Sequence, residues 1–252
     1  MVHGSGGRAG RGRRAQAGLT PIGAHVRALA AIGAALLVGL LVIGCAGPAP
    51  SSSSAAAETV RRFRVTSAVH PLTAEDLTAL AQDAQLAMDA AGVTGATATA
   101  TNDGLEIHLA GTDAQADDIL RRLLLAEGSM RLLDPGDTMP EDGTKVDPAW
   151  PVLMDGSKVD GTTVRLERDD QGLRVVFSVR PEAANAFSIW TNEHLGQSFV
   201  IALDDRVLSA PMIQSTIRLE DMAITTPSDA DTVRLAAVLR AAGGVTLLPL
   251  GG

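Results

Sequence analysis

Apolar and polar residues alternate along this chain in blocks, and the period changes from block to block. Val60 to Ser67 (VRRFRVTS) alternates singly, as a strand with one face in a core does. Thr73 and Asp76 then stand three apart as a capping pair, and Leu77, Leu80, Ala84, Leu86 and Met88 fall mostly on one helical stripe up to Gly92. Strands are expected at Gly95 to Thr101 and Leu105 to Ala110, about the turn Asn102-Asp103-Gly104. A helix follows from Asp113 to Gly128, carrying Ile119, Leu120, Leu123 and Leu124, and then a strand at Met130 to Leu133. The order is βαββαβ, the split-βαβ unit.

From Asp134 to Gly161 the periodicity is lost among Pro, Gly and Asp, which predicts an irregular connection pinned by Trp150 and Leu153. Strands return at Val164 to Arg168 and Leu173 to Arg180 across a turn at Asp169 to Gly172. Pro181 opens a helix to Leu195 with Ala184, Phe187 and Trp190 on one side. Phe199 to Leu203 predicts a short apolar strand, Asp204-Asp205-Arg206 a turn, and Met212 to Leu219 and Ala223 to Thr225 two further strands. Ser228 caps a last helix with Val233, Ala236, Ala237 and Leu239 inward, and Gly243-Gly244 precedes a final strand at Val245 to Leu248.

The first 44 residues behave differently. They hold five Arg and no acid, and end in a 17-residue apolar run from Ala28 to Gly44 beside the single cysteine, Cys45. A basic start, an apolar core and a small residue before Cys45 have the form of a bacterial lipoprotein signal, cleaved between Gly44 and Cys45 with Cys45 lipidated. An uncleaved anchor is the alternative, since 17 apolar residues sit at the lower limit of a membrane span. Residues 46–57, AGPAPSSSSAAA, then form a flexible tether reaching roughly 20 Å. Residues 45–252 retain 16 basic against 29 acidic side chains, a net charge of −13 that repels nucleic acid and anionic lipid head groups. Aromatic residues are 2% of the chain with no Tyr, which argues against sugar-stacking and aromatic-rich binding surfaces.

Residues 198–217, SFVIALDDRVLSAPMIQSTI, resemble the SecD family, the membrane-embedded partner of the bacterial protein-export channel, in its large extracytoplasmic first domain. The likeness is carried by Leu203, Asp204, Val207, Ser209, Ala210, Pro211 and Ile213. Pro151-Val152-Leu153, Val176-Phe177, Ala186-Phe187, Thr191 and Leu235 to Arg240 follow in matching order. The first half agrees more loosely, through the helix before Gly92-Val93, Leu109-Ala110-Gly111 and Met130 to Leu133. The resemblance implies an α+β fold: a ferredoxin-like βαββαβ base at 58–134 with its final strand at 244–250, and an inserted α+β head at 135–243. In the family, base and head are thought to swing relative to one another. Members continue into transmembrane helices that couple proton flow to pulling on the emerging chain, whereas this sequence stops at Gly252 with no intramembrane carboxylate. Arg218-Leu219-Glu220 replaces the family's usual Gly pair.

Candidate chemistry is sparse. His70, His108 and His194 sit in different elements without metal-ligand spacing, and His108, alternating with Ile107 and Leu109, is expected to face solvent. No Gly-x-Ser-x-Gly elbow, Ser-x-x-Lys pair or phosphate-binding Gly-rich loop occurs in the folded part. Asp204 and Asp205 read as turn formers and Pro211 as a strand entry. No catalytic residue, metal or cofactor is expected. The expected function is a non-catalytic, lipid-anchored accessory of protein export or of folding after export, held outside the cytoplasm on the bacterial cell membrane. Its partners would be the Sec translocation machinery or emerging unfolded polypeptide. The alternative is a cell-envelope ligand or solute carrier using a base–head cleft, with Trp150, Phe187 and Trp190 as lining; a purely structural envelope lipoprotein is a third.

Overall fold

In the computed structural model, which describes residues 58–170, 172–218 and 222–250, the alternation of VRRFRVTS becomes strand β1, Glu58–Ser67. The segments expected as signal and tether, Gly44 and Cys45 among them, lie outside the described residues. Helix α1, Ala74–Ala90, starts on the expected capping box: the Asp76 N–H donates to Thr73 Oγ1 at 3.2 Å, and the Thr73 N–H to Asp76 Oδ2 at 2.9 Å. Strands β2, Thr97–Ala100, and β3, Gly104–Ala110, make the hairpin. Helix α2, Asp113–Leu123, stops short of Gly128.

Strand β4, Met130–Leu133, departs from the sequence reading, which placed it with the base. The fourth place in the base sheet is taken by the last strand of the chain, β11, Val245–Leu250, giving the antiparallel order β11-β1-β3-β2. The ferredoxin-like base is thus completed by the returning strand. The reason lies in the side chains. Val245 is buried and Leu247 packs on the base core while Thr246 and Leu248 are exposed, which suits a sheet covered on one face. Met130, Leu132 and Leu133 are all buried, Leu132 and Leu133 in different clusters, so β4 needs cover on both faces. Inside the base, Phe63, Val65, Leu105, Ile107 and Leu109 meet Leu77, Leu80, Ala84 and Met88 of α1 and Ala116 and Leu120 of α2. The other face of the sheet carries Arg62, Arg64, Glu106 and His108.

The head holds two antiparallel sheets. One runs β5-β4-β8-β9, with β5 at Val152–Asp155, β8 at Val200–Leu203 and β9 at Arg206–Ser209. The other runs β10-β7-β6, with β6 at Arg165–Asp169, β7 at Gly172–Phe177 and β10 at Met222–Thr225. Helices α3, Pro181–Glu193, and α4, Asp229–Ala242, pack with both sheets around one apolar cluster that includes Leu132, Val175, Phe177, Phe187, Ile201 and Leu239. Two strands form that the periodicity missed: β5 inside the Pro-rich connection, and β9 directly after the Asp204-Asp205 turn. The strand expected from Met212 does not form. Met212 makes one bridge to Ser198, Ile213 exchanges backbone hydrogen bonds with Gly196 and Gln197, and the Ile217 N–H donates to Thr191 Oγ1 of α3 at 3.0 Å.

Candidate functional site

The family-signature residues divide by role. Leu203 and Ile213 are buried in the main head cluster, and Val207 in a smaller one with Leu133 and Val200, on which Ala210 packs. Ser209 and Pro211 instead line a groove of about 340 Å³ between β8 and β10, whose apolar walls are Phe199, Ile201, Ile217 and Met222. The strand that periodicity predicts from Met212 hid the groove, which depends on residues 214–218 remaining irregular.

Asp204 organises the turn between β8 and β9. Its backbone adopts φ 57°, a conformation Asp tolerates better than most residues. Its N–H donates to the Ser129 carbonyl at 2.7 Å, and its Oδ1 accepts from the Ser129 N–H at 2.9 Å. Its Oδ2 pairs with Arg234 of α4, and its carbonyl accepts from Arg131 of β4. One residue therefore ties the β8–β9 turn, the start of β4 and helix α4 together. Gly128 must be glycine for this: a Cβ there would lie 2.7 Å from Asp204 Oδ1.

The seam between base and head is polar at its centre. Asp83 of α1 and Arg240 of α4 form an ion pair at 2.6 Å with side chains only 3% and 5% exposed, and Asp83 Oδ1 accepts from the Leu166 N–H of β6 at 2.9 Å. Burial pushes the Asp83 carboxyl above the ordinary carboxylate range and pulls the Arg240 guanidinium down, with the charge of each partner opposing the shift of the other. Around the pair, Arg165 approaches Asp76 at 3.6 Å, His70 Nε2 meets Thr162 Oγ1 at 2.8 Å, and the Gly161 N–H donates to the Gly243 carbonyl at 3.2 Å. The sequence reading missed this pair. The available signal was a carboxylate on the apolar stripe of α1, three residues after Leu80 and four before Ala87.

Two cavities flank the connection from α2 to β4. One, about 460 Å³, is walled by Leu124, Leu125, Ala237, Arg240, Val245 and Leu247; the other, about 490 Å³, by Val93, Ile119, Arg121, Leu123, Asp231 and Arg234. Among the described residues, Nε of Arg240 has no hydrogen-bond partner. The suggested common lining by Trp150, Phe187 and Trp190 does not form. Trp150 packs on the small cluster, whereas Phe187 meets Trp190 and Phe199 at ring distances of 5.9 and 5.2 Å. Among the described residues no group of three His, Cys, Asp or Glu is placed to hold a metal ion, and no helix is long and apolar enough to cross a membrane. His108 lies on the outer face of the base sheet as expected, but between two carboxylates, Glu58 at 2.7 Å and Glu106 at 2.9 Å.

Residues 137–243 match the family model of the SecDF P1 head subdomain. No curated protein matches the chain. Among solved structures it is similar to SecDF in a super-membrane-facing form, at 20% identity and TM-score 0.44, over 79% of this chain and 31% of that one. It is also similar to SecDF described as a membrane component that enhances protein export, at 20% identity and TM-score 0.42, over 76% of this chain and 98% of that one. A third is SecDF from Thermus thermophilus, described as a translocon-associated membrane protein, at 19% identity and TM-score 0.36, over 75% and 30% of the two chains. The chain thus spans about a third of the length of the first of these.

Proposed function

We propose that this protein is a non-catalytic, lipid-anchored P1-type accessory of protein export or of folding after export. The observation that carries this reading is the match of residues 137–243 to the SecDF P1 head. The apolar head groove beside Pro211 is a fitting place for an emerging unfolded chain. In this reading residues 1–44 are a signal, Cys45 carries the lipid, residues 45–57 are the tether, and the base and head stand outside the cytoplasm at the membrane, near the Sec machinery. Photo-crosslinkers placed at Ile217 and Met222 in living cells should capture export components or newly exported chains; capture of neither overturns the export role. Cys45→Ser should abolish incorporation of labelled palmitate and release the protein from membranes, and unchanged labelling overturns the anchor.

A second reading is favoured by the two cavities along the α2–β4 connection. There the protein is a carrier of a cell-envelope ligand at the base–head boundary. Its test is native mass spectrometry of the protein extracted from membranes, where a retained small molecule lost on filling the cavity with Ala237→Leu supports it. Absence of such a molecule counts against it.

A further inference from the structure

We infer that the two cavities along the α2–β4 connection together hold one anionic amphiphile, an oxyanion head on an acyl tail, an inference that rests on the carrier reading above. The cavities differ in chemistry and share a wall, for Ala126 and Glu127 border both. On one side Leu124, Leu125, Ala237, Val245 and Leu247 make an apolar chamber of about 460 Å³. On the other side, in about 490 Å³, Arg121 and Arg122 of α2 and Arg234 of α4 stand around the half-exposed aliphatic side chains of Val93, Ile119 and Leu123. Ala126 puts only a methyl group between the two. An amphiphile held by its head among the arginines can therefore lay its tail across Ala126 into the apolar side.

The charges in the second cavity choose the head. Acids outnumber bases across residues 45–252, yet three guanidinium groups line this one cavity against two carboxylates, Glu127 and Asp231. Asp231 is engaged at the start of α4, where it accepts from Ser228 Oγ at 2.7 Å. Arg122 pairs with Asp118 and Arg234 with Asp204, both at positions open enough for water to compete. Arg121 has no ion-pair or hydrogen-bond partner among the described residues. Guanidinium groups take the oxygens of a phosphate or carboxylate two at a time, so an oxyanion supplies what the cluster lacks. The acidic surface repels an anionic bilayer as a whole, but at physiological salt that field is screened beyond about 8 Å, and inside the cavity the nearest charges decide. The site thus suits a single amphiphile taken out of its membrane or micelle.

The experiment offers the full chain, in a non-ionic detergent, equal amounts of phosphatidylglycerol and phosphatidylcholine with identical tails, and counts retained lipid by native mass spectrometry. Phosphatidylglycerol should be retained about tenfold over phosphatidylcholine. The double variant Arg121→Gln/Arg122→Gln, at exposed positions, should bring its retention down to that of phosphatidylcholine. Ala241→Phe, which fills the apolar chamber from an exposed position on α4, should lower retention of both lipids. Equal retention of the two lipids by the wild type, or unchanged retention in the arginine variant, overturns the anionic head site. Unchanged retention in Ala241→Phe overturns the tail chamber. Displacement of phosphatidylglycerol by an equal concentration of glycerol 3-phosphate assigns the arginines to a free phosphate and overturns the amphiphile. A different molecule, retained by the wild type and released by Ala237→Leu, overturns this inference and leaves the carrier reading standing; retention of nothing overturns both.

Discussion

In the base, a sheet of four strands buries Phe63 and Val65 on one side and leaves Arg62 and Arg64 in water on the other, whereas the head closes two sheets and two helices on one apolar cluster, with β8 buried at all four positions. A strand with a free face tolerates change at every second residue; a strand covered on both tolerates it almost nowhere. The two regions meet across α1 and α4, where apolar contact gives way to the Asp83–Arg240 pair. Ala87 of α1 belongs to the head cluster, so the base helix is itself part of the head's packing.

The seam is where the comparison breaks most visibly. Arg240→Met should lower unfolding stability by about 3–5 kcal/mol, because it strands a buried carboxylate that now has only the Leu166 N–H. The double variant Asp83→Leu/Arg240→Met should recover most of that loss, since no charge is then left buried. Urea unfolding of the three proteins measures both numbers. A single variant that loses less than about 1 kcal/mol would mean that water reaches the pair and that the seam is looser than its burial indicates.

Next in size is the test of whether base and head unfold as one. Leu105→Ala in the base and Leu132→Ala in the head each remove a fully buried side chain and should each cost about 2–5 kcal/mol. With α1 shared between the clusters, both variants should shift a single transition seen by circular dichroism and by Trp fluorescence. Trp150 and Trp190 report the head alone, so a fluorescence midpoint untouched by Leu105→Ala would divide the molecule into two cooperative units.

The same contrast decides how much was legible in the sequence. In the base, periodicity gives β1, the capping box of α1 and the β2–β3 hairpin directly, because one-sided burial writes itself as alternation. In the head, β5 and β9 went unread. Both are four-residue strands at the edges of their sheet, too short to show an alternation, and Pro151 and Asp204 look only like turn residues. The placing of β4 turned on competition between two distant strands for one edge, which no local pattern records. Of the candidate site, Ser209 and Pro211 were singled out by resemblance, but the groove they line needs the unpaired stretch after Met212. The seam pair was missed because a lone Asp on an apolar stripe reads as a surface residue until its partner, 157 positions away, is placed.

A smaller effect is expected at Asp204, which belongs to the head but reaches the start of β4. Asp204→Ala removes the acceptor of the Ser129 N–H and the partner of Arg234 at a partly exposed position, and should cost about 1 kcal/mol. Asp204→Asn keeps the turn conformation and an acceptor oxygen and should cost less. Equal losses in the two variants would show that the charge of Arg234, rather than the turn, sets the effect.

The smallest effect is electrostatic and confined to the open face of the base. The hydrogen bond to Glu58, then that to Glu106, raises the His108 pKa above its ordinary value. A base whose folded pKa is raised adds stability that is full below its unfolded value, near about 6.5, and is lost as pH rises through the folded value. Asp76 has the opposite sign. Its carboxyl is lowered chiefly by the Thr73 backbone N–H, so its contribution is present above an unfolded value near about 3.9 and is lost as pH falls through the folded one. Subtracting the thermal midpoints of His108→Gln from those of the wild type should therefore give a difference that declines with rising pH from about 6.5 upward. Subtracting those of Asp76→Ala should give one that declines with falling pH below about 3.9. A flat His108 difference would mean that water and salt screen the Glu58 and Glu106 contacts fully, and that the open face of the base adds nothing to folding beyond the alternation that exposes it.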